Sequence, residues 1–276
     1  MNLLGTEQQI DVMTQHPCFN DFAHDRVGRI HLPVAPRCNI QCNFCERNMC
    51  ATLAIQHPGW TAKLLSVTEA VNFIRSIIRS RKIDCSFVLG VAGPGDPLAN
   101  AQTFETFGLI HKEYPYLIKC MSTNGLLLED KLAEVVNVGV GALTVTINAV
   151  DSQVGKKIYF WVSYQGNIYR GEEAASLLIA KQFSGIRKAV DAGLTIKVNT
   201  VLIPGINDGQ MLEIARLIKE VGVKLMNIMP LIPMGKMRNW PAPTCDELRM
   251  KRQECEKIIP QFRRCEQCRA DIVYLP

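Results

Sequence analysis

The sequence predicts an α/β protein built on a parallel sheet, and three observations carry that prediction. Six short, mostly apolar runs alternate with helix-length amphipathic stretches. The runs lack strict in-out alternation, as expected of parallel strands covered on both faces. Gly139, Gly193 and Gly222 fall where helices should stop. In chain order, Arg29–Ala35 is the first strand, and Ser66-Val67-Thr68-Glu69 is a capping box opening a helix over Thr68–Arg81. Strands then follow at Ser86–Val91, Leu117–Ser122, Leu143–Ile147, Thr195–Val201 and Lys224–Met229. The helices between them are expected at Ala101–Tyr114, Leu128–Val138, Glu172–Ala192 and Gly209–Val221. Such alternation implies right-handed crossovers, in a sheet that is doubly wound or curled into a barrel. Both place chemistry at the C-terminal ends of the strands. Cysteine, glycine and small polar residues gather at those ends, and the tail from Pro230 reads as an irregular extension over them.

Composition narrows the class. A chain of 276 residues with 47% hydrophobic and 21% charged residues can bury a core, which excludes disorder, collagen and coiled coil. No apolar run is long enough for a membrane span, and Met1-Asn2-Leu3-Leu4-Gly5 lacks the basic start of a signal peptide, so a soluble cytoplasmic protein is expected. The net charge of +5 is too evenly spread for a nucleic-acid binder, but it suits an anionic cofactor. The 11 cysteines are the unusual feature. In a reducing compartment, clustered cysteines bind metal or do redox chemistry more often than they form disulfides.

The run Cys38-Asn39-Ile40-Gln41-Cys42-Asn43-Phe44-Cys45 follows the first strand. Three thiolates on so short a loop can hold three irons of a cubane and leave the fourth open, whereas a structural zinc site wants four closed ligands. The run resembles the radical S-adenosylmethionine (SAM) signature. In that superfamily the open iron is chelated by the amino and carboxylate groups of SAM, and an aromatic residue, here Phe44, stands beside the adenine.

Further segments resemble the NifB family of nitrogenase cofactor maturases. They are His16-Pro17-Cys18-Phe19, His31-Leu32-Pro33-Val34-Ala35-Pro36, Cys50, Gly93-Pro94-Gly95-Asp96-Pro97-Leu98-Ala99 and Ser122-Thr123-Asn124-Gly125-Leu126. Ile147-Asn148-Ala149-Val150-Asp151, Tyr169-Arg170-Gly171-Glu172-Glu173-Ala174, the segment from Asn199 to Asp208 and Cys265-Glu266-Gln267-Cys268-Arg269-Ala270-Asp271 continue the match. The Ala51–Lys63 loop fits the family poorly. Because the sequence ends just past Cys268, the carrier domain fused to some members is expected to be absent.

The resemblance implies a partial (β/α)6, TIM-like radical SAM barrel over residues 29–229. Residues 1–28 and 230–276 then form N- and C-terminal extensions over its open face. It implies three four-iron clusters. Cys38, Cys42 and Cys45 hold the one that cleaves SAM. Cys18, Cys265 and Cys268 hold one substrate cluster, and His31, Cys50 and Cys120 the other. The implied reaction fuses the two substrate clusters around a SAM-derived carbide, with an added sulfur, into an eight-iron precursor. One SAM gives its methyl to a cluster sulfide, and the radical from a second takes a hydrogen from that methyl. Gly93, Gly95 and Asp96 should grip the methionine end. Ser122, Asn124, Thr146 and Asn199 are placed for ribose or carboxylate, and the backbone around Leu202 and Ile203 should face adenine. Implied partners are an iron–sulfur donor scaffold, a low-potential electron donor such as ferredoxin, and a cofactor carrier or downstream nitrogenase scaffold protein.

Simpler readings stand beside these. Cys18 and Cys120 alone read as core thiols, His31 as a core histidine and Cys265-x2-Cys268 as half a zinc site. Cys85, Cys245 and Cys255 match no ligand position and read as packing or incidental thiols, and His16, His24, His57 and His111 read likewise as packing or incidental side chains. Arg29, Arg37, Arg47, Arg264 and Arg269 flank the proposed ligands, either offsetting cluster charge or facing solvent. A molybdopterin-pathway cyclase would explain the motif and the tail cysteines, but it has no need of His31 or Cys50.

Overall fold

The structure, a computed structural model, describes residues 12–52, 57–80 and 86–276. Cys85 and the predicted helix end at Arg81 lie outside the described residues. A short helix α1 (Asp21–His24) precedes β1 (Gly28–His31), β2 (Ile40–Cys42), β3 (Asn48–Met49) and β4 (Trp60–Thr61). Next come α2 (Val67–Ser80), β5 (Phe87–Val91), α3 (Ala101–Glu113), β6 (Lys119–Thr123), α4 (Leu128–Asn137) and β7 (Val140–Thr146). After α5 (Ser152–Ile158), β8 (Tyr159–Tyr164) and β9 (Asn167–Tyr169), the alternation resumes with α6 (Gly171–Asp191), β10 (Thr195–Leu202), α7 (Met211–Glu220) and β11 (Leu225–Pro230). The tail contributes α8 (Cys245–Glu256) and β12 (Val273–Tyr274).

The six predicted strands are β1, β5, β6, β7, β10 and β11, and they pair in parallel in the order β11-β10-β7-β6-β5-β1. The sheet is therefore a partial barrel, with β1 and β11 at opposite ends of the parallel run. The predicted helices are present to within two residues at the ends described. Ser66 and Glu69 make the expected reciprocal cap, and the three stop glycines have φ of +73°, +89° and +91°. Alternate strand residues pack outward onto the helices: Ile30, Leu89, Met121, Leu143, Ile196 and Met226 meet Ile74, Phe107, Val135, Ile186 and Ile214, all buried. The intervening residues face the barrel interior, where the strands carry polar side chains and cysteine.

Two parts differ from the sequence reading. Tyr159–Tyr169 forms a hairpin whose two-residue loop, Gln165-Gly166, has φ of 49° and 81°, the conformation that suits strand twist in so short a loop. A search for βα units passes over it, yet β8 pairs with β2 and so holds the cysteine motif. The tail is also not wholly irregular. α8 starts at a capping box formed by Thr244 and Glu247, but only Cys255 on it is buried, so it has no apolar stripe to read. β12 pairs antiparallel to β1, closing that sheet edge and bringing the tail cysteines beside the first strand. Among the described residues no helix is long and apolar enough to cross a membrane.

Candidate functional site

The motif loop is held by its own polar residues. Gln41 Nε2 donates to the carbonyls of Cys42 and Cys45, at 2.9 and 3.0 Å, and Arg47 Nη2 donates to Gln41 Oε1 at 3.0 Å. Asn124 Nδ2 reaches Asn39 Oδ1 at 2.6 Å and Cys38 Sγ at 3.8 Å. Burial pushes the Cys38 thiol up to about 12, with Asp96 adding to it, and lifts Cys42 and Cys45 as well; Arg47 pulls all three down. In the metal-free protein these thiols are neutral at pH 7, so metal must displace their protons. Three thiols on one pinned loop beside a guanidinium fit the three-cysteine site that the motif implies.

The Gly93–Asp96 turn works inward rather than outward. A Cβ on Gly95 would lie 2.1 Å from the carbonyl oxygen of Arg37, so glycine is required where the turn crosses the segment entering the motif. Asp96 is 4% exposed, and its carboxylate accepts from Leu98 N at 2.9 Å, Asn124 N at 2.6 Å and the Thr123 hydroxyl at 2.9 Å. Burial raises its pKa to about 6 while those donors pull it down. The carboxylate thereby ties the ends of β5 and β6 together.

The barrel interior is an open-mouthed cavity of about 260 Å³. Six proposed ligands line it: Cys18, His31, Cys45, Cys120, Cys265 and Cys268. Phe44, Ser122, Thr146 and Asn199 line it too. Asn124 is spent on the motif loop. The side chains of Leu202 and Ile203 are buried among apolar neighbours, and Val201 beside them lines the cavity. Cys38 and Cys42 line shallow grooves on the outer side of the motif. Among the described residues, no three His, Cys, Asp or Glu side chains gather closely enough to hold a single metal ion.

His31 is prepared as a ligand. Its Nδ1 lies 3.1 Å from the carbonyl of Arg269, which can only accept, so Nδ1 carries the proton and Nε2 has a free lone pair. Burial lowers its pKa to about 4, keeping it neutral. The Arg269 guanidinium donates to the Cys50 carbonyl at 2.8 Å, so one residue links Cys50 to His31 although Cys50 stands outside the cavity lining. Across the cavity, Cys18 meets the tail pair. Arg264 forms a two-pronged bridge to Asp25 at 2.7 and 2.9 Å, and Glu266 accepts from Arg29 and faces His24. Burial raises Cys18 and Cys268, the latter to about 12, and Cys265 raises both further. Burial also raises Cys120, followed by the nearby Cys18, so the two ligand sets face each other.

Sequence reading missed two donors in this cavity, Lys197 and His16. Lys197 is 3% exposed, donates to the Cys18 carbonyl at 2.8 Å and sits over the rings of Phe19 and Phe262, at 5.0 and 5.1 Å. A lysine inside an apolar strand was the available signal. His16 Nδ1 accepts from Cys18 N at 3.0 Å, which leaves the proton on Nε2, and that buried atom has no partner among the described residues. Arg29, expected either to offset cluster charge or to face solvent, is buried, and its Nε and Nη1 have no partner among the described residues. Orphaned buried donors are costly unless something accepts from them, and the sulfurs of an anionic cluster would. Cys255 is buried in the core and Cys245 is exposed, in keeping with packing or incidental thiols.

Comparison with known proteins agrees with this geometry. The model of the radical SAM superfamily matches residues 32–218. The FeMo cofactor biosynthesis protein NifB of Methanocaldococcus infernus is 47% identical over 96% of this chain and 86% of its own length. The protein of the same name from Klebsiella pneumoniae is 41% identical over 95% of this chain and 57% of its own length. Among solved structures, methylornithine synthase (PylB) superposes with a TM-score of 0.54 at 12% identity, covering 98% of this chain and 82% of that one, a likeness of fold alone.

Proposed function

From the membership of this chain in the radical SAM superfamily and, within it, in the NifB family of FeMo cofactor biosynthesis proteins, we propose that it builds the eight-iron precursor of the nitrogenase cofactor. In the proposed reaction two four-iron clusters, bound as substrates, are fused with a carbide drawn from SAM and an added sulfur. The observation that carries the reading is the cavity itself. One barrel interior presents Cys18, Cys265 and Cys268 from the two ends of the chain, faces them with His31 and Cys120, and reaches Cys45 of the motif. An enzyme acting on an organic substrate would need one such cluster wall; two opposed walls suit two clusters that must meet.

Cys38, Cys42 and Cys45 would hold the resident cluster, which supplies the electron for SAM cleavage. Gln41 and Arg47 fix the spacing of the loop, and Asn124 and Asp96 lock it to β6. Ser122, Thr146 and Asn199 offer hydrogen bonds along one wall, and Phe44 offers a ring. Each substrate set has only three protein ligands, so a product can leave, and neutral His31 is the easiest to release. Arg29 and Lys197 offset the negative charge of what the cysteines hold, and neutral His16 donates its Nε2 proton to it. The electron donor is proposed to approach the outer grooves behind Cys38 and Cys42. Arg37, Arg170, Lys236 and Arg238 line these grooves with no acidic side chain, and none is ion-paired among the described residues, which favours an acidic carrier such as a ferredoxin.

Anaerobic reconstitution with iron and sulfide tests the proposal. About twelve irons per chain are expected. With dithionite as the electron source, SAM should then yield S-adenosylhomocysteine and 5′-deoxyadenosine together with a carbide-containing cluster. A plateau near four irons would refute it.

A further inference from the structure

Gly90 is buried in the middle of β5, with β1 on one side and β6 on the other. The parallel registers set His31 opposite Gly90 and Gly90 opposite Cys120, so the three form one row across three strands, all facing the barrel interior. A Cβ at position 90 would lie 2.9 Å from His31 Cδ2, 3.1 Å from Cys120 Sγ and 3.3 Å from His31 Nε2. The first distance is one that packed atoms do not adopt, and the next two are tight. They also bound the pair: His31 Nε2 and Cys120 Sγ lie within about 6.4 Å of each other, the sum of 3.3 and 3.1 Å.

The backbone does not ask for glycine there. Gly90 is not among the glycines with left-handed φ, so any residue could adopt its conformation. Glycine inside a central strand weakens it relative to alanine, since it gives up chain entropy and a side chain to pack. A buried strand glycine with ordinary φ therefore marks a close approach, and here the approaching groups are the free nitrogen of His31 and the thiol of Cys120. Both are undocked toward the same space: Nδ1 of His31 faces away, bonded to Arg269 O.

We infer that Gly90 is a positioning residue whose missing side chain keeps open the seat where His31 and Cys120 take one and the same substrate cluster. The inference rests on the proposed function, in which those two residues share a cluster. A methyl group at position 90 would turn the imidazole off its line and press the Cys120 sulfur away, closing the seat from its floor while leaving the motif cysteines untouched.

The test compares Gly90→Ala with Gly141→Ala on β7, two strands away in the same sheet, where an added methyl meets only Val12 Cγ2, at 3.3 Å. Reconstituted protein is assayed for iron per chain, for nitrogen-14 coupling to the reduced clusters by pulsed EPR, and for 5′-deoxyadenosine. Gly90→Ala should lose about a third of the iron, one cubane of three, together with the nitrogen coupling, and should still form 5′-deoxyadenosine. Gly141→Ala should match wild type. Wild-type iron and nitrogen coupling in Gly90→Ala would overturn the inference. Absence of nitrogen coupling from the wild type would instead refute the shared His31 cluster, and with it the functional reading. Should Gly90→Ala fail to fold, Gly90→Ala/His31→Ala removes both imidazole contacts. That double variant should fold and hold as much iron as His31→Ala alone. A double variant that also fails to fold would assign the glycine to the scaffold and overturn the inference.

Discussion

Replacing Asp96 by alanine separates a scaffold carboxylate from a ligand-binding one. Its carboxylate takes three hydrogen bonds, from Leu98 N, Asn124 N and the Thr123 hydroxyl. Bonds to a charged acceptor are worth ~1.5–3 kcal/mol each, so about 4.5–9 kcal/mol is lost. Part returns, because alanine no longer buries a charge: burial outweighs the three donors and holds the carboxyl up at about 6. The loss is therefore smaller than that sum, on the order of a few kcal/mol against the ~5–15 kcal/mol that holds an ordinary domain folded. The damage should also spread. Asn124 N loses its anchor, and the same residue holds Asn39 Oδ1 and Cys38 Sγ, so motif iron should fall as well. Urea titration of the metal-free protein gives the first quantity, and iron analysis after reconstitution the second. Asp96→Asn should fall between, since its amide can accept from some of the three donors but not all. An alanine variant that unfolds at the wild-type midpoint, keeps its iron and binds SAM weakly would refute the scaffold role.

Changing Cys38, Cys42 and Cys45 together to alanine should remove about a third of the reconstituted iron and all 5′-deoxyadenosine, measured by iron assay and chromatography. Cys265→Ala should abolish S-adenosylhomocysteine while 5′-deoxyadenosine persists, if the tail set holds the cluster that accepts the methyl; an unchanged methyl-transfer yield with the tail cluster absent would refute that. His31 is held at about 4 against an ordinary 6.5, so the unfolded chain binds its proton more readily than the native one. That contribution to the stability of the metal-free protein is intact above pH 6.5 and is lost as pH falls toward 4, by up to about 3 kcal/mol, and His31→Asn should flatten this limb of the urea midpoint against pH. Lys236→Glu/Arg238→Glu should slow SAM cleavage driven by a plant-type [2Fe–2S] ferredoxin and leave cleavage driven by dithionite unchanged; equal slowing in both would remove the groove from electron delivery.

The barrel was legible because each of its units is local. A parallel strand buried on both faces writes its apolar run in consecutive residues, and the stop glycines mark the helix ends at positions whose φ only glycine adopts readily. The hairpin at Tyr159–Tyr169 was equally local, with a turn of two residues at positive φ, and went unread only because the pattern sought was strand then helix. α8 was hidden for a different reason. Its cap was visible, but a helix that buries only Cys255 carries no period to find.

The site divides along the same line. Three cysteines within eight residues are a property of the chain, so the motif could be read without knowing the fold. Cys18 and Cys265 are a property of the fold: they meet because Arg264 reaches Asp25, Glu266 reaches Arg29, and β12 docks on β1. Only the family resemblance put them together beforehand. Asp96 shows the converse, since a carboxylate at a strand end reads as available until its three donors are seen. Hardest to read are groups defined by what they leave open. His16 Nε2 matters because nothing among the described residues accepts from it, and Gly90 because a methyl there would meet His31 and Cys120. An absence of that kind has no letter of its own in the sequence. It becomes visible only when the register places two ligands on either side of it.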